Sequence, residues 1–241
     1  MEILNFLRRV RRARREAAWI WKGVGRMSYA QCGEDHILAH IFSCLRILKP
    51  RYLDIGAHAP VYLSNTYYFH VRGCRGVLVE PDPTLVPELV RRRPRDICLN
   101  VGVGAVADPG APFYVMSSPL LNTFSKAEAE RYEGYGTVRI VQVLRVPVIT
   151  VADLLGRHGS ELPHLVSIDA EGQDTEIVRN FDFDAARPQV FCIETLTYSE
   201  DKSERKNLEV GSLLAAQGYF AYADTYINTI YVDRAAWQAR P

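Results

Sequence analysis

The sequence predicts an α/β domain built on a mostly parallel sheet with helices on both faces. Short apolar runs alternate along the chain with stretches of helical periodicity, and runs that are apolar on both faces are typical of covered parallel strands. The last two runs are separated only by Ile227 and Asn228, which predicts a hairpin and one antiparallel edge. The seven runs lie at residues 51–57, 75–81, 96–103, 165–171, 189–195, 219–226 and 229–234.

Residues 1–27, ahead of this pattern, predict a basic amphipathic helix. Residues 1–26 contain eight basic and two acidic side chains, and apolar residues alternate with the arginines without a helix breaker. Such a helix could contact an anionic membrane or a partner, or it could pack on its own domain with the arginines in solvent. We expect the domain itself at residues 28–241.

Residues 33–48 carry apolar side chains at helical spacing and predict one core-facing helix that Pro50 stops. Between the third and fourth parallel strands lies an excursion at about residues 105–147, which contains the strand pair PFYVM and VRIVQVLRV. A connection this long inside a compact α/β domain is usually functional, so the excursion is our candidate for a lid. Thr150 with Asp153 then predicts a capped short helix before the fourth strand.

Composition excludes several classes of protein. The 241 residues are 48% hydrophobic and 24% charged, the ordinary balance of a globular protein. The formal net charge of +1 gives no electrostatic footprint for nucleic acid. The five cysteines are odd in number and form no CxxC pair, which argues against a zinc site and a disulfide framework and favours a reducing compartment. No apolar run approaches the ~20 residues that span a bilayer, so we expect a cytoplasmic protein.

Acidic residues follow the first two strands. The first strand runs into DIGAHAP, which holds Asp54, Gly56 and His58, and a glycine at such a strand end lets a ligand approach the backbone. No GxGxxG follows, which makes a nicotinamide-dependent oxidoreductase the weaker interpretation. Glu80 ends the second strand, where its carboxylate can accept two hydrogen bonds from a ribose diol. These acids together fit a nucleoside with an amino-acid tail.

Six sequence blocks in register resemble the FkbM-type S-adenosylmethionine-dependent methyltransferases over residues 28–234. The blocks are SYAQCGEDHIL, YLDIGAHAPVYLSNTYYF, RGVLVEPDP, LNVGVG, VSIDAEGQDTEIV and FCIET. The resemblance implies S-adenosylmethionine as cofactor. It also implies the Rossmann-like methyltransferase fold, a seven-stranded sheet of order 3-2-1-4-5-7-6 with an antiparallel last strand.

The same resemblance implies which residues contact the cofactor. Asp54 and Gly56 would face the methionine portion, and Glu80 would hold the ribose hydroxyls. Asp82 and the turn at residues 100–102 would border the adenine. Gln31, with Ser28, would close over the cofactor, and Asn65 either caps the following helix or reaches the cofactor. The implied set is Gln31, Asp54, Gly56, Ala57, Asn65, Glu80, Pro81, Asp82, Asn100 and Val101.

Asp169, Glu194 and His58 are the candidates for chemistry. Carboxylates that end apolar strands are costly unless they face a polar cleft or a cation. By analogy with sugar and catechol O-methyltransferases of the same general fold, Asp169 and Glu194 could hold Mg²⁺ and orient the acceptor hydroxyl. Alternatively, Asp169 is a metal-free general base, or Asp169 or Glu171 only caps a helix. His58 is either a polar wall of the cofactor pocket or a proton acceptor.

We therefore expect an O-methyltransferase that acts on a hydroxyl of a sugar, a glycan or glycolipid, or a secondary metabolite. Its partner would be a small-molecule or glycan acceptor and not nucleic acid. The basic N-terminal helix suggests peripheral contact with the inner face of the membrane. The alternative is a non-catalytic partner subunit of a glycan-assembly complex that keeps the fold. Acceptor specificity is expected in residues 117–136 and 197–203.

Overall fold

The computed structural model describes residues 26–158, 162–200 and 202–241. Its strands form a seven-stranded main sheet and a three-stranded second sheet. In chain order the strands are β1 (Tyr52–Ile55), β2 (Gly76–Val79), β3 (Ile97–Leu99), β4 (Gly102–Gly104), β5 (Asp108–Met116), β6 (Ile140–Thr150), β7 (Leu165–Ile168), β8 (Val190–Glu194), β9 (Tyr219–Asp224) and β10 (Asn228–Asp233).

The main sheet has the order β3-β2-β1-β7-β8-β10-β9. Strand β1 pairs in parallel with β2 on one side and with β7 on the other, while β10 pairs antiparallel with β8 and β9. This confirms the predicted fold class and strand order. Because the chain leaves β1 in one direction and returns to its other side at β7, a crevice opens where these strands end.

Helices cover both faces of the main sheet. Tyr52 packs into a cluster with residues of α1 and α2, whereas Leu53 and Ile55 pack into the opposite cluster with residues of α5, α6 and α7. Burial on both faces explains the continuous apolar runs of the central strands. The helices are α1 (Glu34–Cys44), α2 (Tyr67–Val71), α3 (Val86–Arg92), α4 (Lys126–Gly134), α5 (Val151–His158), α6 (Asp174–Arg179), α7 (Leu208–Ala216) and α8 (Arg234–Gln238).

Two predicted elements are shorter than the sequence pattern suggests. Helix α1 ends at Cys44 rather than at residue 48, because Arg46 adopts a left-handed conformation with φ of 55°. The predicted third strand, residues 96–103, is divided after Leu99. There the side-chain amide of Asn100 donates to two carbonyls of the loop after β2, and the chain turns into the second sheet.

The second sheet contains most of the excursion, in the order β4-β6-β5. The predicted strand pair is present and longer than expected, since β5 begins at Asp108 and β6 continues to Thr150. Thr150 and Asp153 exchange hydrogen bonds of 2.8 and 3.0 Å at the start of α5, as the cap signal predicts. The sheet has its own apolar cluster of Met116, Leu121, Ala129, Tyr132 and Val138.

The predicted N-terminal helix at residues 1–27 falls almost wholly on residues 1–25, which lie outside the described part of the chain. All five cysteines are free, in agreement with the prediction of no disulfide framework. Among the described helices, none has the length and apolar character to cross a membrane.

Candidate active site

A cavity of about 500 Å³ opens at the carboxyl ends of β1, β2, β7 and β8. Its volume lies in the range of sites for small molecules, and its position is the crevice that the strand order predicts. The structure brings most of the sequence-predicted site residues to this cavity. Those lining it are Gln31, Asp54, Gly56, Ala57, His58, Asn65, Glu80, Pro81, Val101, Asp169 and Glu194.

Gly56 allows the ends of β1 and β7 to meet. Its φ is 80°, and a Cβ at this position would lie 1.8 Å from the carbonyl oxygen of Asp169. Only glycine therefore fits this close approach. His58 and Glu171, with φ of 43° and 42°, are also left-handed, and such strained residues concentrate at functional sites.

Glu80 is held at the end of β2 by two main-chain donors. The N–H groups of His58 and Asp82 donate to its two carboxylate oxygens, each at 2.7 Å. Burial, supported by the nearby charges of Asp82 and Asp169, raises the pKa of Glu80 to about 7 against the effect of these hydrogen bonds. Because each carboxylate oxygen has a second lone pair, Glu80 can still accept hydrogen bonds from a ligand diol.

Asp82 and Asn100 are not among the residues that line the cavity. The carboxylate of Asp82 accepts from the side-chain amide of Asn122 at 3.0 Å, and the Asn100 amide donates to the carbonyl of Glu80 at 2.9 Å. Both residues thus shape the loop after β2, and their contact with an adenine stays a prediction. Ser28 is also turned away from the cavity, since its hydroxyl donates to Asp35 of α1.

Asn65 faces the cavity and does not cap a helix. Its amide donates to the Ser167 hydroxyl at 3.2 Å. The main-chain N–H of Tyr67 at the start of α2 donates instead to the Ser64 hydroxyl. Among the described residues, Asn65 Oδ1 and both ring nitrogens of His58 are buried without a hydrogen-bond partner. Buried polar atoms are rarely left unpaired, so these atoms fit a polar ligand in the cavity.

Asp169, Glu171 and Glu194 form a carboxyl cluster at the ends of β7 and β8. One oxygen of each lies within 4.8 Å of the others, and Asp169 hydrogen-bonds to Glu194. Asp169 faces the cavity, and desolvation by the surrounding protein together with the nearby charge of Asp174 raises its pKa to about 6. The pKa values of Glu171 and Glu194 are raised well above their usual range for the same reasons. The cluster therefore shares protons near neutral pH.

Asp174, which sequence analysis missed, holds the loop between β7 and α6. Its buried carboxylate accepts from the N–H groups of Ala170 and Gly172 at 2.9 and 3.3 Å. The sequence allows this main-chain role for Asp169 or Glu171 as well, but the structure gives it to Asp174, and the other two carboxylates belong to the carboxyl cluster. The carboxyls of Asp169 and Glu171 thus remain available to a ligand.

A buried arginine supports the site from behind, and the sequence carries no signal for it. The Thr66 hydroxyl donates to Asp54 at 2.5 Å, and Arg93 Nη2 donates to that hydroxyl at 2.9 Å. Arg93 also donates from Nε to Asp96 at 2.7 Å. Its position in RRRPRD looks like an exposed helix end, and only the tertiary structure places this one arginine, 1% exposed, inside.

Part of the excursion covers the cavity. The Thr123 hydroxyl donates to the Glu171 carbonyl at 2.8 Å. The Phe124 ring packs against Gly102 so closely that a Cβ on Gly102 would lie 2.4 Å from the ring. Tyr198, in the loop after β8, lines the other side and packs edge-on against Tyr132 at 5.6 Å between ring centroids. Both regions that were expected to contact the acceptor therefore lie at the cavity.

Glu171→Gln is expected to stabilise the protein near neutral pH. Folding raises the pKa of Glu171, so the folded state binds its proton more tightly than the unfolded chain does. The contribution of this group to the free energy of unfolding is therefore fully present below its ordinary pKa of 4.5 and is lost as pH rises through the raised pKa. We expect the variant to increase the free energy of unfolding by about 1 kcal/mol or more near neutral pH. Urea denaturation at about pH 7.5 and about pH 5 measures this difference, which should shrink at the lower pH.

The matched control for this measurement is Glu130→Gln, whose carboxylate is exposed on α4 and pairs with Lys126. This control should show little pH dependence of its effect. A Glu171→Gln variant that is less stable than the parent at the higher pH would contradict the raised pKa.

Comparison with known proteins gives one family. The family model described as the methyltransferase FkbM domain matches residues 54–221, which is more than half of the chain. No curated protein sequence matches. A solved structure of 1,6-didemethyltoxoflavin-N1-methyltransferase from Burkholderia thailandensis, with bound 1,6-didemethyltoxoflavin and S-adenosylhomocysteine, is similar at 11% identity and a TM-score of 0.40, over 96% of this chain and 87% of that one. The family match runs from Asp54 in β1 into β9 and includes the strand ends that form the cavity, so the chain belongs to the FkbM methyltransferase domain family.

Proposed function

We propose that this S-adenosylmethionine-dependent methyltransferase methylates a hydroxyl oxygen of a sugar, a glycan or glycolipid, or a secondary metabolite. The carboxyl cluster carries the proposal, because a hydroxyl must lose its proton when it is methylated. Asp169, with a pKa of about 6, is ionised near neutral pH and faces the cavity. It is therefore suited to accept that proton.

The cavity residues fit the cofactor. Glu80 offers free lone pairs to the ribose hydroxyls, and the unpartnered Oδ1 of Asn65 offers a further acceptor. Asp54 and Gly56 border the side where the methionine portion would lie, and Gln31 closes the cavity from the N-terminal side. When bound, S-adenosylmethionine supplies a methyl group already activated on a sulfonium.

The protein's own part in the reaction is to orient the acceptor, exclude water and move one proton. The hydrogen bond between Asp169 and Glu194 lowers the pKa of Asp169 and raises that of Glu194. The pair shares a proton near neutral pH, and we propose that Asp169, which has a pKa of about 6 and faces the cavity, accepts the proton of the hydroxyl. Residues 118–124 and Tyr198 cover the cavity, which limits access of water to the reacting groups.

The charge of the cavity favours a hydroxyl on an acceptor without phosphate or carboxylate groups near it. None of the described residues that line the cavity is Lys or Arg. An anionic group there would be repelled, whereas the exposed rings of Tyr62 and Tyr198 offer faces for an uncharged ring. The ionisable side chains of the described lining, apart from tyrosine, are Asp54, His58, Glu80, Asp169, Glu171, Glu194 and Glu204.

Mg²⁺ bound by Asp169 and Glu194 is a second proposal for the same atoms. Carboxylate oxygens are the ligands that Mg²⁺ prefers, and three of them lie within 4.8 Å of one another. In that case the ion would lower the pKa of the acceptor hydroxyl. Activity lost in EDTA and restored by MgCl₂ would favour the ion over the metal-free base.

The proposed function is tested with purified protein, S-adenosylmethionine labelled in its methyl group and a small-molecule extract. We expect label in a product that withstands mild alkali and carries an O-methyl ether by mass spectrometry. Label on nitrogen or in an alkali-labile ester would exclude O-methyl ether formation. Cofactor binding without any product would favour the non-catalytic partner subunit.

Glu80→Gln is expected to weaken binding of S-adenosylhomocysteine by about 10- to 100-fold, because a carboxyl group with two oxygens for the ribose hydroxyls is replaced by an amide with one. Isothermal titration calorimetry measures the affinity. Glu88→Gln, an exposed carboxylate on α3, is the matched control and should bind as the parent does. Unchanged affinity in a folded Glu80→Gln variant would place the ribose elsewhere.

A further inference from the structure

A groove separate from the active-site cavity lies where the described chain begins. It has a volume of about 770 Å³ and runs between α1, α2 and residues 26–29. Its floor is made of buried side chains, including Phe42, Phe69 and Cys74. Its rim exposes apolar side chains, with Leu48 at 89%, Met27 at 58% and Val71 at 44% exposure. We call it the N-terminal groove.

We propose that the N-terminal groove is the docking site for the apolar segment Trp19-Ile20-Trp21 of the same chain. Arg26, the first described residue, itself lines the groove. Trp21 precedes it by five positions and Trp19 by seven, so even an extended chain keeps both within about 25 Å of Arg26. Covalent attachment at so short a distance gives the segment a high effective concentration at the groove.

The positive charge at the groove favours docking of Trp19-Ile20-Trp21 over docking of the arginine-rich residues 8–15. Among the described residues, the lining of the groove contains Arg26 and Arg72 and no carboxylate. The guanidinium of Arg72 lies 3.4 Å from the centre of the Tyr68 ring, which places positive charge at the edge of the apolar surface. The arginine-rich stretch at residues 8–15 would be repelled, whereas the uncharged Trp19-Ile20-Trp21 would not.

The docked segment would hold a part of the chain that reaches the active-site cavity. After Arg26 the chain passes Tyr29, whose carbonyl accepts from the N–H of Ser64 at 3.1 Å, and then Gln31, which lines the cavity. Ser64 lines the same cavity. Docking at the groove would therefore hold the N-terminal end of residues 26–31, next to the hydrogen bond of Tyr29, and keep Gln31 in place. This role does not depend on which acceptor is methylated.

Tryptophan fluorescence tests the proposal in the full chain. The protein has three tryptophans, and Trp237→Phe leaves only Trp19 and Trp21 as emitters. Without vesicles, we expect acrylamide to quench them at least about twofold less than free N-acetyltryptophanamide, as for a segment packed on the domain. Adding Leu48→Asp and Val71→Asp at the exposed rim should raise quenching toward that of the free indole.

The matched control is Val106→Asp with Val141→Asp, since these valines are 77% and 60% exposed outside the groove. It should leave quenching unchanged, and equal melting temperatures of the two double variants show that both fold. Quenching as strong as that of free indole in the parent, or protection that survives the groove substitutions, would overturn the proposal. Protection that appears only with anionic phosphatidylglycerol vesicles would also overturn it, because it indicates membrane binding. Protection that appears only at concentrations where sedimentation detects a dimer would overturn it as well, because it indicates a contact between two copies.

Discussion

Asp169→Asn is expected to lower kcat/KM for methyl transfer by about 10²- to 10⁴-fold, the range in which a positioned general base acts. The amide keeps the size and hydrogen-bonding capacity of the side chain but cannot take a proton. Because Asp169 faces the cavity from the end of β7, which β1 separates from Glu80 and β2, binding of S-adenosylhomocysteine should change little. Initial rates with the labelled cofactor, together with calorimetry, measure the two effects separately.

The pH dependence of kcat/KM tests the same role of Asp169. The pKa of Asp169 is raised to about 6, and only the ionised form accepts a proton. In the parent, kcat/KM should rise about tenfold per pH unit below that value and level off above it. The variant should lose this limb of the profile. Asp184→Asn, an exposed carboxylate in the connection between α6 and β8, is the control with unchanged rates. A full rate in folded Asp169→Asn would remove Asp169 as the base and favour His58.

The strand ends explain why much of this site could be predicted from sequence. In a parallel sheet the carboxyl ends of the strands meet at one edge, so acids that follow separate runs are brought together whatever their distance along the chain. Asp54, Glu80, Asp169 and Glu194 reach the cavity for this reason. The switch from parallel to antiparallel pairing was also predictable, because the connection between the last two runs is too short for a crossover.

Side-chain direction beyond the strand ends could not be predicted in the same way. Asp82 follows Glu80 by two residues, yet it does not line the cavity, and its carboxylate accepts a hydrogen bond from Asn122. That partner lies in the excursion, whose position depends on the second sheet and not on any local pattern. Asn100 likewise lies where the predicted third strand is divided. Its side-chain amide donates hydrogen bonds to two carbonyls of the loop after β2, and the chain leaves the main sheet there. Local periodicity contains no information on these long-range contacts.

Arg93→Met is expected to have the largest effect on stability, a loss of about 3–5 kcal/mol, as when one partner of a buried ion pair is removed. Arg93 is 1% exposed, and the Asp96 side chain that it pairs with is 0% exposed. Methionine fills similar space but donates no hydrogen bond, so the Asp96 carboxylate loses its guanidinium partner inside the protein. Urea denaturation of the cofactor-free protein measures the change in the free energy of unfolding.

Arg92→Met is the matched control, because Arg92 directly precedes Arg93 and is the last residue of α3. Arg92 is 52% exposed and pairs with Glu88 at 3.0 Å, so its loss should cost no more than about 1 kcal/mol. Arg93→Lys should lie between the two, because it keeps the charge but cannot reproduce the fork of donors to Asp96 and Thr66. Equal stability of the Arg92 and Arg93 variants would contradict the buried network.

The same arginine connects stability to the cofactor site. Arg93 donates to the Thr66 hydroxyl, which in turn donates to Asp54 at the cavity. Burial raises the pKa of Asp54, whereas the Thr66 hydrogen bond and the charge of Arg93 lower it. Removing Arg93 therefore favours the protonated form of Asp54 and weakens its fixed orientation. In Arg93→Met under conditions where it is still folded, we expect weaker binding of S-adenosylhomocysteine, and more so at lower pH, whereas Arg92→Met should bind as the parent does.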